Sequence, residues 1–440
     1  MTRREFLKLS ALVGAGAASG GAISALSACG TGQAVPQTPK GLFVTTSGTR
    51  FQIGAQNFNV AGANNHYLGW AARREVDDVL TTAHNMGLNV VRSIMSCVAG
   101  SLDGKTKPPL WDWHGREDSA NDVHGVYLLY WDSRRNTWAW NDSTVNGLGR
   151  WDYVLYRAGQ LGLKLNLSLL DFWQWEGGAQ QIASWFLPGF DPKSDPRLRT
   201  FFFADPAAKE VYKSWVAHVL NRTNTITGIK YKDDPTIFAW DLMNEPQIDN
   251  TARAADGAPL AESWLREMAA HVKSIDSRHL LTSGGDGFYG RQEMIDPAKE
   301  AALPGLDFAS WHLYAGYRGV TLPQVGDLIR RHGETAAAAG KPVVLQEFGY
   351  SSQQAEQPNV YRSWLEGVAN DPNSAGWIFW RLVGRVQPAP TRNFPEAEND
   401  PLRGYAKDNG DHYDIIDDPG AAPATAYQSS LVLREAARRA

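Results

Sequence analysis

Two glutamates stand at the ends of apolar runs, where a buried strand would deliver a side chain to a shared site. Glu245 lies between Asn244 and Pro246 at the end of one run, and Glu347 precedes Phe348 near the end of another. A carboxyl that holds a proton serves as a general acid, whereas an ionised carboxyl serves as a base or a nucleophile. Brought together, two such groups would divide these roles.

Cleavage of a glycosidic bond with retention of configuration requires such a pair, with the two carboxyls about 5–5.5 Å apart. One carboxyl protonates the leaving oxygen while the other attacks the anomeric carbon. We therefore predict that Glu245 is the acid/base and that Glu347 is the nucleophile. Because a nearby negative charge disfavours ionisation, we also expect Glu347 to raise the pKa of Glu245.

Further polar and aromatic residues occur at the ends of similar runs. They are Arg92, Asn244, His312, Tyr314, Trp380 and Trp173. By charge and by hydrogen bond, Arg92 and Tyr314 are expected to stabilise an ionised Glu347. Any one of these residues alone would be unremarkable at a strand end, so the prediction depends on their combination.

Three of these residues are suited to contact a sugar directly. We expect Asn244 to hydrogen-bond the sugar 2-hydroxyl, a contact that strengthens in the transition state. His312 is expected to bind sugar hydroxyls near the acid/base. Trp380 offers a flat aromatic face, which predicts the floor of the subsite that holds the reacting sugar.

Eight apolar runs alternate with amphipathic segments from Gly41 onward, and this alternation predicts the fold. The runs are Phe58–Asn65, Leu88–Ile94, Lys164–Trp173, Ile237–Pro246, Leu280–Phe288, Asp307–Tyr314, Pro342–Tyr350 and Gly376–Leu382. The segments are Glu75–Met86, Arg150–Leu161, Lys209–Asn224, Ala261–Ile275, Leu322–Ala338 and Gln357–Ala369. They predict an α/β fold, a single (β/α)8 TIM barrel whose strand ends meet on one face. A doubly wound sheet would need a Gly-rich turn after its first strand, which Ala61–Asn65 does not provide.

A long insertion, Ser96 to Gly149, follows the second predicted strand without clear periodicity. Its tryptophans are Trp111, Trp113, Trp131, Trp138 and Trp140. A loop after a strand's carboxyl end lies on the active face of a barrel. We hypothesise that part of the insertion forms a wall of the substrate cleft. The alternative is a surface loop that packs its own aromatic residues.

The composition is that of a globular protein with a large core. A net charge of -4 over 440 residues gives no basic surface for nucleic acid. The only cysteines are Cys29 and Cys97, and Cys29 lies in the N-terminal region, so no disulfide is expected within the folded domain. Cysteine and histidine do not cluster at the spacing of a metal site. The 17 tryptophans suit both an aromatic core and flat surfaces for sugar rings.

Residues 1–29 predict an export signal. Arg3-Arg4 and the following residues are typical of the twin-arginine route, and a weakly apolar, Gly/Ala-rich stretch comes next. The stretch ends in Leu26-Ser27-Ala28-Cys29, which resembles a bacterial lipobox, so Cys29 is expected to be lipidated. The alternative is an ordinary cleaved signal with an incidental cysteine. Residues 30–40 predict a flexible tether and residues 41–440 the barrel domain, on a membrane-anchored lipoprotein that faces the periplasm or the cell exterior.

The segment Tyr231–Pro246 closely resembles the fourth-strand region of glycoside hydrolase family 5 endo-β-1,4-mannanases of the plant and fungal type. Other segments resemble the same family, namely Phe43–Phe51, Phe201–Pro206, Val272–Asp276, Gly285–Gly290 and Gln346–Gly349. The resemblance implies a retaining mechanism with acid/base Glu245 and nucleophile Glu347. It also implies the supporting residues Arg92, Asn244, His312, Tyr314 and Trp380, and it implies no cofactor.

Departures from the family pattern lie where a sugar would bind, and they leave the preferred sugar open. The third strand is followed by Asp171-Phe172-Trp173 instead of Asn-Asn-Trp, and Tyr314 is followed by Ala315-Gly316-Tyr317. We predict hydrolysis of β-1,4-mannosidic linkages in a mannan-type polysaccharide or oligosaccharide. The alternatives are another β-glycosidase of the family, such as a glucanase or an exo-β-mannosidase, and a non-catalytic glycan-binding lipoprotein.

Overall fold

The computed structural model of the chain describes residues 42–115, 123–191, 195, 197–387 and 401–440. The predicted export signal, with Cys29, and the predicted tether lie outside these residues. Within the described ranges, no helix combines the length and the apolar character that a membrane span requires. Cys97 is a buried free thiol.

Strands alternate with helices through most of the described chain. The strands are β1 (Val44–Ser47), β2 (Arg50–Ile53), β3 (Gln56–Asn57), β4 (Val60–Asn64), β5 (Val90–Ile94), β6 (Val98–Ser101), β7 (Leu129–Asp132), β8 (Thr137–Trp140), β9 (Lys164–Ser168), β10 (Ile237–Asp241), β11 (Leu280–Thr282), β12 (Ala309–Tyr314), β13 (Val343–Gly349) and β14 (Ser374–Phe379). Seven of the eight predicted apolar runs contain one strand each of the largest sheet, and the eighth, Gly376–Leu382, overlaps β14, which begins two residues earlier at Ser374.

The largest sheet is parallel and closes into a barrel. Its strand order is β11-β10-β9-β5-β4-β14-β13-β12. The two edge strands are joined where the Asp307 N–H donates to the Leu281 carbonyl at 2.7 Å. Every residue of β4, β5, β10 and β13 is buried, because helices cover the outer face and side chains fill the interior. The predicted (β/α)8 TIM barrel is confirmed.

Helices follow most barrel strands. They are α1 (Arg73–Asn85), α2 (Arg150–Gln160), α3 (Gly178–Phe186), α4 (Leu198–Ala204), α5 (Pro206–Asn221), α6 (Leu260–Ile275), α7 (Pro297–Ala301), α8 (Val325–Ala338), α9 (Gln357–Asn370) and α10 (Ala424–Ala437). All six predicted amphipathic segments form helices. The prediction placed the start of α5 at Lys209, but the helix begins at Pro206 because the Asp205 carboxylate caps it, accepting from the N–H groups of Ala207 and Ala208.

A small antiparallel sheet, β1-β2-β3, covers the amino-terminal end of the barrel. Its Phe51 is fully buried, with its ring 5.1 Å from that of Phe238 and 5.4 Å from that of Phe308. These edge-to-face contacts close that end of the barrel with apolar side chains. The amino-terminal end of the barrel is therefore closed to a ligand.

The insertion after β5 folds into a second small sheet, β6-β7-β8. Its tryptophans pack against helices of the barrel. The ring of Trp131 lies 5.7 Å from that of Trp185, and the Trp138 indole donates to Ser214 at 2.9 Å. None of its described residues lines the cleft, so for this part of the chain the hypothesis of a cleft wall is wrong. Its described aromatic residues pack against the barrel helices and against one another instead.

Candidate active site

The carboxyl ends of the barrel strands open into a cleft of about 520 Å³. Glu245, beyond the end of β10, and Glu347, within β13, both line it. The other predicted residues that line it are Asn244, Tyr314, Trp173 and Trp380. Arg92 and His312 are buried and bond to the glutamates. The structure thus brings together every residue predicted for catalysis and substrate binding, whereas Cys29, predicted for lipidation, lies outside the described ranges.

The two glutamates approach each other across the cleft. One carboxylate oxygen of Glu245, one of Glu347 and a ring nitrogen of His312 all lie within 4.8 Å of one another. This spacing is close to the roughly 5–5.5 Å between the two carboxyls of retaining glycosidases. Glu245 has a left-handed backbone with φ of 47°, a strained conformation for a residue with a Cβ. Its N–H donates to the Gly284 carbonyl at 2.9 Å, which holds this turn in place.

Glu347 accepts hydrogen bonds from two donors, a guanidinium and a phenolic hydroxyl. Arg92 is fully buried and donates to Glu347 Oε1 at 2.5 Å, while the Tyr314 hydroxyl donates to Glu347 Oε2 at 2.6 Å. Arg92 also pairs with Asp241 at 2.8 Å. Burial lowers the pKa of Arg92, but the charges of Asp241 and Glu347 raise it further, so the guanidinium stays charged. The geometry predicted for Arg92 and Tyr314 is present.

Glu245 is held by different donors. The Trp173 indole donates to Glu245 Oε2 at 2.7 Å, and His312 Nδ1 lies 2.7 Å from Glu245 Oε1 and 3.4 Å from Glu347 Oε2. His312 is almost fully buried and bonds the carboxyls themselves, and its contact with sugar hydroxyls stays a prediction.

The expected rise in the pKa of Glu245 is wrong. Burial raises the pKa of Glu245, but hydrogen bonds from His312 and Trp173 outweigh burial and lower it below its ordinary value. Burial lowers the pKa of His312, but the charges of Glu347 and Glu245 raise it above its ordinary value. These directions favour an ionised Glu245 beside a protonated His312 in the substrate-free protein.

Asn244 has one donor left for a ligand. Its Oδ1 accepts from Arg92 at 2.9 Å, and its Nδ2 donates to Asp171 Oδ1 at 2.9 Å. A primary amide carries two N–H groups, so the second one is available to a ligand oxygen. Because Arg92 only donates, it fixes which end of the amide faces it.

Trp380 directly follows β14 and presents its indole to the cleft. The His66 ring stacks on it with centroids 5.3 Å apart, and the indole N–H donates to Asp411 Oδ2 at 2.8 Å. Tyr413 stacks on Tyr314 with centroids 5.2 Å apart. Sequence reasoning missed His66, Asp411 and Tyr413. Asp411 and Tyr413 come from an irregular segment, where no periodicity marks them.

Two groups of described side chains reach the spacing of metal ligands. The first is the trio of Glu245, His312 and Glu347, and the second consists of Asp408, Asp411 and Asp414. In the second group Asp411 accepts from Trp380, and Asp414 pairs with Arg381 at 2.8 Å. Donors of the protein therefore already stabilise both acidic groups, and neither needs a cation to account for its geometry.

Comparison with known proteins agrees with this geometry. The family described as GH family 5 beta-mannosidase-like matches residues 41–434. Mannan endo-1,4-beta-mannosidase 1 of Oryza sativa subsp. japonica is 32% identical over 392 residues, covering 80% of this chain and 81% of that protein. Probable mannan endo-1,4-beta-mannosidase A of Aspergillus oryzae is 27% identical over 372 residues, covering 81% of this chain and 83% of that protein.

Solved structures show the same similarity. The endo-1,4-beta-mannanase from Rhizomucor miehei superposes with a TM-score of 0.70 at 26% identity, covering 90% of this chain and 100% of that chain. The endo-beta-1,4-mannanase from Thermotoga petrophila gives a TM-score of 0.68 at 26% identity, covering 87% and 77%. This chain therefore belongs to glycoside hydrolase family 5, in its β-mannosidase-like group, and is a glycoside hydrolase.

Proposed function

We propose that the enzyme cleaves β-1,4-mannosidic linkages within mannan-type polysaccharides and retains the anomeric configuration. The observation that carries the proposal is the approach of Glu245 and Glu347 to within 4.8 Å, each with its own set of donors. The names of the similar proteins from rice and Aspergillus support the choice of mannan and of endo action.

The reaction has two steps. In the first, the Glu347 carboxylate attacks the anomeric carbon, the glycosidic C–O bond breaks, and Glu245 gives its proton to the leaving oxygen. In the second, Glu245 takes a proton from water, whose oxygen attacks the same carbon and releases Glu347 as a carboxylate. Arg92 and Tyr314 stabilise Glu347 whenever it carries its charge.

The proton of the first step comes from the Glu245–His312 pair. Nδ1 of His312 lies 2.7 Å from Glu245, a distance over which a proton moves along a hydrogen bond. When the glycosidic oxygen accepts from Glu245, the proton passes from the imidazole to the carboxyl. His312 thus supplies the proton of the acid/base.

Aromatic side chains at the cleft favour a long substrate. Trp175 is 59% exposed and Tyr317 is 42% exposed, and both line the cleft. Trp175 follows Trp173, which bonds the acid/base, and Tyr317 follows β12, which carries His312. We infer that their rings stack on the sugars of the leaving group. Such contacts are of use to an enzyme that cuts within a polymer.

A product profile on linear mannan, galactomannan, glucomannan and cellulose tests this function. We expect a ladder of manno-oligosaccharides from linear mannan, with little product from cellulose. Release of monosaccharide alone would favour an exo-β-mannosidase, and faster cleavage of cellulose would favour a glucanase. Binding of these glycans without hydrolysis would favour a non-catalytic glycan-binding protein.

We also propose that the protein is exported by the twin-arginine route and anchored through lipid on Cys29. The support is Arg3-Arg4 and the lipobox-like segment that ends at Cys29. In a bacterial host, we expect radiolabelled fatty acid to be incorporated into the wild-type chain. Cys29→Ala should lose the label and move to the soluble exported fraction, whereas Cys97→Ala should keep both label and location. Labelling of Cys29→Ala would contradict the anchor.

A further inference from the structure

A pair of buried carboxyls, Asp171 and Glu176, lies beside the catalytic glutamates and has no role in the mechanism above. Asp171 is 2% exposed and Glu176 is 3% exposed, and both border the cleft. Among the described residues, no lysine, arginine or histidine forms an ion pair with either carboxyl. Two carboxyls buried without a cation are costly when both are ionised, so their protonation is constrained.

The local backbone is shaped to bring Glu176 back onto Asp171. Asp171 follows β9 and forms a parallel bridge with Asn244, and the chain then turns through a short helix that ends at Glu176. Gly177 and Gly178 both have positive φ, of 87° and 48°. A Cβ at Gly177 would collide with the Val98 carbonyl, and one at Gly178 would collide with the Asp171 carbonyl. Only glycine fits both positions of this turn.

The contacts of the pair assign one proton to it. Asp171 accepts from Asn244 Nδ2 at 2.9 Å, as an ionised carboxyl does. Among the described residues no donor reaches the buried Oε2 of Glu176, and the Glu176 carboxyl interacts with that of Asp171, so a proton on Glu176 is the donor that can join the two. Burial and the neighbouring Asp171 raise the pKa of Glu176 well above its ordinary value, and burial raises the pKa of Asp171 to about 7.

We propose that Asp171 and Glu176 share one proton and act as a positioning pair for Asn244, aiming its free N–H at the 2-oxygen of the reacting sugar. The proposal rests on the function proposed above. Glu176 donates to Asp171, Asp171 accepts from Asn244, and Asn244 Oδ1 accepts from Arg92. The amide is thereby held from both ends, and only one N–H is left for the sugar. Substrates must therefore present an acceptor at carbon 2, which a hydroxyl does and an ammonium group does not.

The test compares an activated aryl β-mannoside with its 2-deoxy analogue, which lacks the oxygen that Asn244 would contact. We measure kcat/KM on both substrates and take the ratio of the value for the mannoside to the value for its 2-deoxy analogue. Asp171→Ala should lower the wild-type ratio by about 10- to 100-fold, because misplacement of a contact that strengthens in the transition state has effects of that order. Asn244→Ala should lower the ratio by the same factor. The double variant of Asp171→Ala and Asn244→Ala should lower it no further than either single variant does.

Variants of Glu176 test the shared proton. Glu176→Ala should also lower the ratio. Glu176→Gln should recover most of that loss, because its amide N–H donates to Asp171 as the protonated carboxyl does. The matched control is Glu300→Ala, a buried carboxyl outside the cleft that bonds Ser283. Its ratio should equal that of the wild type even where the variant is less stable.

The outcomes separate this inference from the proposed function. Equal losses on both substrates in Asp171→Ala and Glu176→Ala would overturn the positioning role while leaving the glycosidase proposal in place. If Glu176→Gln lowers the ratio as much as Glu176→Ala does, the shared proton is overturned. Failure of the wild-type enzyme to hydrolyse either substrate would overturn the proposed function itself, and this inference with it.

Discussion

The surroundings of Glu347 and of Glu245 differ although both residues are glutamates at the same rim of one barrel. Glu347 accepts from Arg92 and Tyr314, and the charge of the guanidinium does not change over any pH at which the fold survives. Glu245 accepts from Trp173 and His312, and the charges of Glu347 and Glu245 raise the pKa of this imidazole, whose charge, unlike that of a guanidinium, can change. One set of donors fixes a charge, whereas the other set contains a group that carries a proton.

This difference shows how one barrel separates two chemical roles. Strands supply both partners of the nucleophile, since Arg92 lies within β5 and Tyr314 ends β12. The acid/base has one partner within a strand, His312, and one in the turn after β9, Trp173. Rigid positioning suits a group that must meet one carbon atom, and a titratable neighbour suits a group that must change protonation twice in each cycle.

Removal of each carboxyl gives the largest expected effect and tests the comparison directly. Glu347→Ala should lower kcat/KM by about 10⁴-fold or more with any leaving group, because no covalent intermediate forms. Azide should restore turnover and give the α-glycosyl azide. Glu245→Ala should lose much less of its kcat/KM when the substrate has an activated aryl leaving group. With this variant, azide should give the β-glycosyl azide.

Product configuration decides that experiment. We would determine it by NMR on both variants, with thermal unfolding as the control for folding. The same azide anomer from both variants, or an undiminished rate in Glu347→Ala, would show that the roles assigned to the two glutamates are wrong.

Replacement of His312 has the next largest effect and separates the two sets of donors. His312→Gln retains an N–H donor but cannot carry the proton, so kcat/KM should fall by about 10²-fold. The wild-type acid loses its proton at the raised pKa of His312, above 6.5, whereas without the imidazole the proton must stay on Glu245, whose ordinary pKa is 4.5. The alkaline limb of kcat/KM should therefore move to lower pH.

Trp173→Phe is the matched contrast to His312→Gln. It removes a donor that lowers the pKa of Glu245 but leaves the imidazole in place. Because the carboxyl and the imidazole hold one proton between them, the pair should keep that proton to higher pH, and the alkaline limb should move to higher pH. The pH profiles of both variants, measured with one aryl glycoside, check these signs. A limb that stays in place in His312→Gln would mean that His312 does not hold the proton of the acid/base.

Tyr314→Phe is expected to have a smaller effect on the nucleophile. It removes the O–H that donates to Glu347 at 2.6 Å but keeps the ring that stacks on Tyr413. A hydrogen bond to a charged group is worth about 1.5–3 kcal/mol, so kcat/KM should fall by roughly 10- to 100-fold. The alkaline limb should stay in place, because Glu347 does not supply the proton. A shift like that of His312→Gln would show that the two sets of donors are not separate.

The strand-end residues of this site could be predicted from the sequence because the carboxyl ends of all strands in a parallel barrel lie at the same end of the fold. Arg92, His312, Tyr314 and Glu347 lie on strands whose carboxyl ends share one rim, so their convergence follows from the topology. What each side chain contacts depends on rotamers and packing. For that reason the contacts of His312 with the two carboxyls were not predicted, and the direction of the Glu245 pKa was predicted wrongly.

Residues from irregular segments were beyond prediction from periodicity. Asp171 was noted only as a departure from the family pattern, and its contact with Glu176 depends on a turn of two glycines with positive φ. Asp411 reaches Trp380 from a segment that follows β14 by about thirty residues, a distance that no local pattern bridges. Adjacent Gly177-Gly178 was the one local signal of a tight turn.

The smallest effect is expected from replacement of Trp175, an aromatic residue on the rim of the cleft near the acid/base Glu245. Trp175 is 59% exposed and lines the cleft next to the segment that bonds Glu245. Aromatic contacts of this kind are worth about 0.5–1.5 kcal/mol, so Trp175→Ala should raise KM for linear mannan by roughly 2- to 10-fold. An aryl mannoside, whose leaving group ends at one ring, should be affected much less. Leu102→Ala, an exposed apolar residue outside the cleft, is the matched control and should change neither substrate. If Trp175→Ala instead changes kcat on the aryl mannoside as much as KM on mannan, the indole acts on the acid/base and not on the polymer, and the separation of binding rim from proton donor fails on that side of the cleft.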